Sequence, residues 1–249
     1  MTKKLAANRI VRWIVRAFAS ITLAVMPLFA WDQATHNFGE VQPGRLYRSA
    51  QMPSSALGQT LHDRRIRSVL NLRGPNPTEQ WYRDELITTR LAGATHIDIA
   101  MSSCLWMSRT QLKVLITALD SAEYPLLIHC AWGSERTGLV SAFAELLRPG
   151  STLDNARAQF SIRYLFVRIG DGQVMAEHLD QYADWLRQQG LVHDPTNFRR
   201  WVDHGFHPGK PSREDWLYDP YPLVVITRPE IRRSIEPVAT GPLAQPAHK

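Results

Sequence analysis

Read for its apolar positions, the chain falls into three unlike stretches. Basic residues scattered over the first sixteen positions give way to an uncharged run from Ala17 to Trp31, broken only by Ser20, Thr22 and Pro27. From Phe38 to Trp201, short apolar runs alternate with segments of helical period, the signature of an α/β domain with a largely parallel sheet. Strands are predicted at Leu46-Tyr47-Arg48 after the Pro43-Gly44 turn, at Ile66 to Leu72, at Thr95 to Ala100 and at Leu126 to His129. Ser54 is positioned to cap a helix reaching Arg65 with Leu57 and Leu61 on one face. The Pro75-Asn76-Pro77 breaker leads into a helix from Thr78 to about Ala92 that turns Trp81, Tyr82 and Leu86 inward. Further helices are expected from Ser108 to Ala122 with Leu112, Leu115, Ile116 and Leu119 on its inner face, and from Thr137 to Leu147, stopped by Pro149-Gly150. Two more are expected over Leu153 to Phe160 and Gln173 to Gln189, the latter stopped by Gly190. After Trp201 the pattern decays into Pro, Gly and charge. Residues 206–249 read as an irregular extension whose end, 229–249, has the composition of a disordered tail.

The first stretch has the make-up of a targeting segment. Lys3, Lys4, Arg9, Arg12 and Arg16 precede the apolar run, so residues 1–31 read as an export signal or membrane anchor with its basic end on the cytoplasmic side. The body would then be periplasmic or otherwise outside the cytoplasm. The run is about 15 residues, short of the roughly 20 that span a bilayer, and Ile10 to Ile14 would extend it only if Arg12 and Arg16 snorkel. Cleavage after Ala30 stays open, as does the plainer reading of a soluble helix packed on the domain.

Length and charge narrow the rest. At 249 residues there is room for one catalytic domain with appendages, and the net charge of +6 is spread along the chain without a nucleic-acid footprint. Cys104 and Cys130, the two cysteines, make no disulfide framework, and no Cys/His cluster has metal-ligand spacing. Neither a metal nor a cofactor is expected.

The chemistry concentrates at residues 129–138, His-Cys-Ala-Trp-Gly-Ser-Glu-Arg-Thr-Gly, where a strand ends in a cysteine and a helix begins near an arginine. The backbone N–H groups of Ala131, Trp132, Gly133, Ser134, Glu135 and Arg136 can curl around an anion, with Gly133 relieving crowding and a helix N-terminus behind them. Helix dipole, loop amides and the Arg136 guanidinium would all favour a Cys130 thiolate. Arg136 offers a planar fork that matches two phosphate oxygens, and a Thr137 hydroxyl can hydrogen-bond the sulfur as nucleophile and as leaving group.

These residues resemble the signature of the cysteine-dependent protein tyrosine and dual-specificity phosphatases. The segment from Phe38 to Gln51 looks like the opening of their compact bacterial dual-specificity members, and Val69-Leu70-Asn71-Leu72-Arg73 is similar to a strand of theirs. The resemblance covers residues 38–205 and implies a three-layer α/β fold, a central mostly parallel sheet flanked by helices, with no cofactor. It implies Cys130 as nucleophile, Arg136 as phosphate ligand and Thr137 as an aid to breakdown of a phosphocysteine. His129 is expected to order the loop through backbone hydrogen bonds.

The resemblance also calls for a general acid about thirty residues before the cysteine. Asp98 stands 32 positions before Cys130 at the end of a predicted strand, and is open between that role and a plain solvent-facing carboxylate. Glu135, inside the loop, is the rival, with dipole compensation as its plainer reading. Because the loop carries no lysine and one glutamate, charge favours a phosphorylated protein or small monoester over a polyphosphate. Trp132 either packs on the neighbouring helix or lines the mouth. Arg48 and Arg73, each at a strand end, either add positive potential there or form structural ion pairs. A rhodanese-type sulfurtransferase and an inactive, membrane-tethered phosphate-binding module are the competing functions. Oligomeric state is not legible.

Overall fold

The computed structural model describes residues 2–212 and 224–229. Its centre is a six-stranded sheet in the order β1-β2-β5-β3-β4-β6. β2 (Leu46–Ser49), β5 (Leu126–His129), β3 (Ser68–Asn71) and β4 (Thr95–Asp98) run parallel, and all sixteen of their residues are buried. Strands covered on both faces need helices on both sides, which the apolar runs in the sequence foretold. Two antiparallel edges flank them: β1 (Gly39–Gln42) beside β2 and β6 (Val225–Thr227) beside β4.

Side-chain alternation divides the core between the two faces. Tyr47, Val69 and Leu127 face the layer of α2 (Ser54–Asp63) and α3 (Gln80–Leu91), where Leu57, Leu61 and Ile66 pack. Leu46, Leu70, Ile97, Leu126 and Ile128 face the other layer, built from α4 (Arg109–Ser121), α5 (Glu135–Leu146) and α7 (Asp171–Gln189). The shorter α6 (Leu153–Arg157) and α8 (Pro195–Arg200) complete it. α5 is the buried centre of that layer, with every residue from Thr137 to Leu146 shielded from water. The three-layer α/β architecture expected from the sequence is therefore the one observed.

Several local expectations are corrected. Ser54 does not cap α2; Pro53 holds the N-cap position, and its carbonyl accepts from the Leu57 N–H at 2.9 Å. α3 begins at Gln80 rather than Thr78, and its inward face is Tyr82, Glu85 and Thr89, with Trp81 and Leu86 only half-buried. A polar inner face suits α3 because it lies over His96 and His129. Ser108 caps α4 through a reciprocal capping box with Gln111. The extension after residue 205 is less irregular than its composition suggests: Phe206 is fully buried and Val225–Thr227 supplies the edge strand β6. The proposed tail from 230 onward lies outside the described residues.

α1 (Thr2–Thr35) carries the N-terminal segment as one helix. Trp13, Phe18, Leu23, Met26 and Trp31 on it are exposed. Among the described residues no helix is long and apolar enough to cross a membrane.

Phe143 is fully buried at the middle of α5, with its ring centroid 5.4 Å from that of Phe198. Phe143→Ala should lower the free energy of unfolding by about 3–5 kcal/mol in denaturant titration, through lost burial plus the cavity left behind.

Candidate active site

β5 lies between β2 and β3, so the chain leaves its C-terminal end at the place where connections to neighbouring strands diverge. Cys130 follows directly and is buried, and the loop runs from it into the N-terminus of α5. Four consecutive loop carbonyls are turned outward and held. Ala131 O accepts from the Gln51 N–H at 3.2 Å, Trp132 O from Asn37 Nδ2 at 2.9 Å and Gly133 O from Arg48 Nη2 at 2.7 Å. Ser134 O accepts from the Gly138 N–H at 2.8 Å. A trans peptide places N–H opposite C=O, so outward carbonyls turn the amides toward the loop interior. Among the described residues none of the N–H groups from Ala131 to Arg136 donates to a protein acceptor. This is an anion cradle made of backbone.

Gly133 has φ +69°, and a Cβ there would meet the Ala50 nitrogen at 2.6 Å and the Ser49 carbonyl at 2.7 Å. Only glycine lets the loop pass so close to the end of β2. The Thr137 and Ser134 hydroxyls are buried, and among the described residues neither has a partner. The expected Thr137-to-sulfur bond is thus not formed, and both hydroxyls remain available to a bound group. Arg136 is half-buried, and Nη1 donates to the carbonyls of Leu72 at 3.3 Å and Met101 at 3.1 Å. Those two anchors fix the guanidinium at the rim, with its other nitrogens unengaged among the described residues. Trp132 is 62% exposed and so does not pack against the neighbouring helix.

Beneath the loop lies a polar cluster that no motif or spacing announces. Glu85 on α3 is buried, and its Oε1 accepts from His129 Nε2 at 2.9 Å and from His96 Nε2 at 2.8 Å. Its Oε2 accepts from the side chain of Gln51, whose own N–H holds Ala131 O. Glu85 therefore supports the start of the loop on both sides of Cys130. His129, expected to bond backbone, has Glu85 as its main partner and lies a long 3.4 Å from the Cys130 carbonyl. A carboxylate on Nε2 fixes the proton there. Burial would push the Glu85 carboxyl up, but the charge and hydrogen bonds of the two histidines hold it well below the usual carboxylate range.

Asp98 belongs to this cluster and not to the mouth. Its carboxylate is fully buried and accepts from Tyr82 Oη at 2.6 Å and Asn71 Nδ2 at 2.8 Å. His96 Nδ1 lies 3.4 Å from it, within ion-pair reach but without hydrogen-bond geometry. Neither a solvent-facing carboxylate nor one poised over the cradle describes it. Burial and Asp98 together raise the Tyr82 phenol, so it stays a donor. Glu135, in contrast, is half-exposed on the first turn of α5. Arg73 stacks on Trp81 at 3.6 Å and donates to Gln51 Oε1 at 3.3 Å; burial first, then the Arg136 charge, lowers its pKa. No group of three potential metal ligands occurs among the described residues.

The cluster has a pH signature. Burial alone would lower His96, yet its contacts with Asp98 and Glu85 win, and it is pushed up from 6.5 to about 9. A histidine raised on folding contributes stability that is complete below its unfolded value and lost as pH rises through the folded one. The urea midpoint should therefore fall between about pH 6.5 and about pH 9. The His96→Asn variant should lose that decline; an identical slope in both proteins would refute the coupling.

Residues 32–148 match the model of a tyrosine phosphatase family. Among solved structures, the core catalytic domain of the PP-IP phosphatase SIW14 from S. cerevisiae, in complex with citrate, is similar at 25% identity. That match covers 62% of this chain and 92% of that one, with a TM-score of 0.45. P. aeruginosa TpbA, as a cysteine-to-serine variant in complex with phosphotyrosine, is similar at 18% identity over 59% of this chain and 91% of that one, with a TM-score of 0.42. Residues 32–148, with the cysteine-to-arginine loop they contain, are thus similar to a tyrosine phosphatase family.

Proposed function

We propose that this protein hydrolyses phosphomonoesters in two steps through a phosphocysteine. The observation that carries the reading is the cradle itself: inward amides, Cys130 at its floor and Arg136 tethered at its rim. Cys130 Sγ attacks phosphorus as the thiolate while the bond from phosphorus to the leaving oxygen breaks, and that oxygen takes a proton from a side-chain carboxyl group. Water then gives a proton to the resulting carboxylate and attacks phosphorus, the S–P bond breaks, and phosphate and thiolate are released. The charge that builds on the equatorial oxygens meets backbone N–H groups already oriented for it.

The proton donor in this reading is Glu135, the loop's own carboxylate and one that solvent reaches, because the oxygens of Asp98 are committed below the sheet. With Ala131, Trp132, Ser134 and Glu135 in place of lysines, the loop adds no positive charge, which supports a singly phosphorylated target such as phosphotyrosine. The exposed Trp132 ring would stack on such an aromatic group. For the N-terminal segment we propose attachment to a membrane, with the phosphatase domain outside the cytoplasm. The exposed apolar side chains of α1 and the neighbouring Arg12 and Arg16 support association with an anionic lipid surface.

Cys130→Ser should abolish release of p-nitrophenol from its phosphate while orthophosphate still binds; continued turnover would sink the mechanism. Glu135→Gln should cost roughly 100-fold on phenyl phosphate and little on the activated nitrophenyl ester. Asp98→Asn should lower the thermal midpoint and affect both esters equally. Turnover of inositol polyphosphates in preference to phosphotyrosine peptides would overturn the substrate assignment. The full chain should sediment with anionic vesicles and not with neutral ones; equal recovery in both supernatants would remove the membrane proposal.

A further inference from the structure

Arg48 is an arginine to which the proposed mechanism gives no role. It sits within β2, fully shut off from water. Nη1 donates to the backbone and side-chain oxygens of Gln159 at 2.8 and 3.1 Å, and Nη2 donates to Gly133 O at 2.7 Å and, at a long 3.5 Å, to Ser134 O. The Tyr164 ring covers the guanidinium at 3.7 Å, and Nε has no acceptor. Among the described residues no carboxylate lies within ion-pair distance, so the structural ion pair open from the sequence is not formed. Every partner is neutral. Burying a cation with no counter-charge is strongly destabilising, and folds seldom keep one without a use.

Burial pulls the Arg48 pKa down to about 10, with Tyr164 and then Cys130 acting in the opposite direction. It therefore stays charged at neutral pH, and the field of Cys130 reaches it. The peptide between them shows how the charge is used. With its oxygen on Arg48, the Gly133–Ser134 peptide turns the Ser134 N–H the other way, into the cradle. A cation on the carbonyl also polarises the peptide and makes that N–H a stronger donor.

We propose that Arg48 is a second cation of the phosphate site, a positioning residue that acts through the Gly133–Ser134 peptide, with the seated phosphate dianion as its counter-charge. The proposal rests on the phosphatase reading of the loop. Arg136 holds the anion from the rim and Arg48 supports it from behind. The other charged or titratable groups facing the anion are Cys130 on the floor, Glu135 on α5, Arg73 at the end of β3, and His129 with Glu85 beneath it; Tyr164 and Arg163 stand behind Arg48.

The test is orthophosphate binding by calorimetry to the full chain, at about pH 5 where the ligand is a monoanion and about pH 8 where the dianion dominates. Arg48→Met should weaken binding roughly 10-fold or more at the higher pH and less than about 3-fold at the lower, since each charge of the ligand lost is one less to pair. Arg48→Lys keeps the charge but cannot reach Gln159 and Gly133 together, and should give an intermediate loss of about 3-fold at the higher pH. Equal weakening at both pH values would mean a loosened loop without charge coupling, and overturns the proposal, as does unchanged affinity in a folded variant. If circular dichroism shows that Arg48→Met does not fold, Arg48→Lys decides, with wild-type affinity at the higher pH as the overturning result. Binding needs no turnover, so a chain that binds phosphate in this Arg48-dependent way yet hydrolyses nothing would sink the hydrolase reading and leave Arg48's role intact.

Discussion

The constraint on which the site depends is that four consecutive carbonyls must face away from the bound group. Backbone dipoles are fixed in pairs, so each oxygen turned outward aims one N–H inward, and each must be satisfied where it ends up. The satisfying groups come from different parts of the chain: Asn37 after the first helix, Arg48 in β2, Gln51 beyond it and Gly138 inside α5. The cradle is therefore a tertiary object. Its shape is imposed by its surroundings, and the loop's own residues contribute chiefly the freedom of Gly133 to be bent that way.

That dependence explains what was legible in the sequence and what was not. Four buried strands and the helices between them show as apolar runs at the right periods, and the cysteine, glycine and arginine of the loop declare their chemistry by type and spacing. Polar residues inside an element carry no comparable mark. Glu85 sits on α3 where a helical wheel places an inward residue, but nothing local says that two histidines from β4 and β5 will meet it. Asp98 illustrates the converse. Its spacing suited a catalytic acid, yet the alternation of β4 turns it to the same face as His96, toward α3 and Tyr82. Spacing along a chain fixes the strand end; the face of the sheet decides the chemistry.

Two charged assemblies press on the loop from separate sides, and they differ in kind. The Glu85 cluster is internally balanced, with carboxylates and imidazoles neutralising one another, and serves as a rigid support whose stability tracks pH. Arg48 has no carboxylate partner among the described residues and meets the loop through its backbone carbonyls. Rigid support and oriented dipoles are what let a site bind charge without rearranging.

Asn37 marks where the catalytic unit truly begins. It follows α1 by two residues, is fully buried, and holds both Trp132 O and Tyr164 O with one amide. By sequence resemblance the domain starts at Phe38, and a chain trimmed there would keep every strand and every chemical group while losing one of the four outward carbonyl restraints. The boundary between appendage and domain is thus set by a hydrogen bond to the loop rather than by the first strand, and a shortened form that keeps this restraint has to be cut on the helix side of that asparagine.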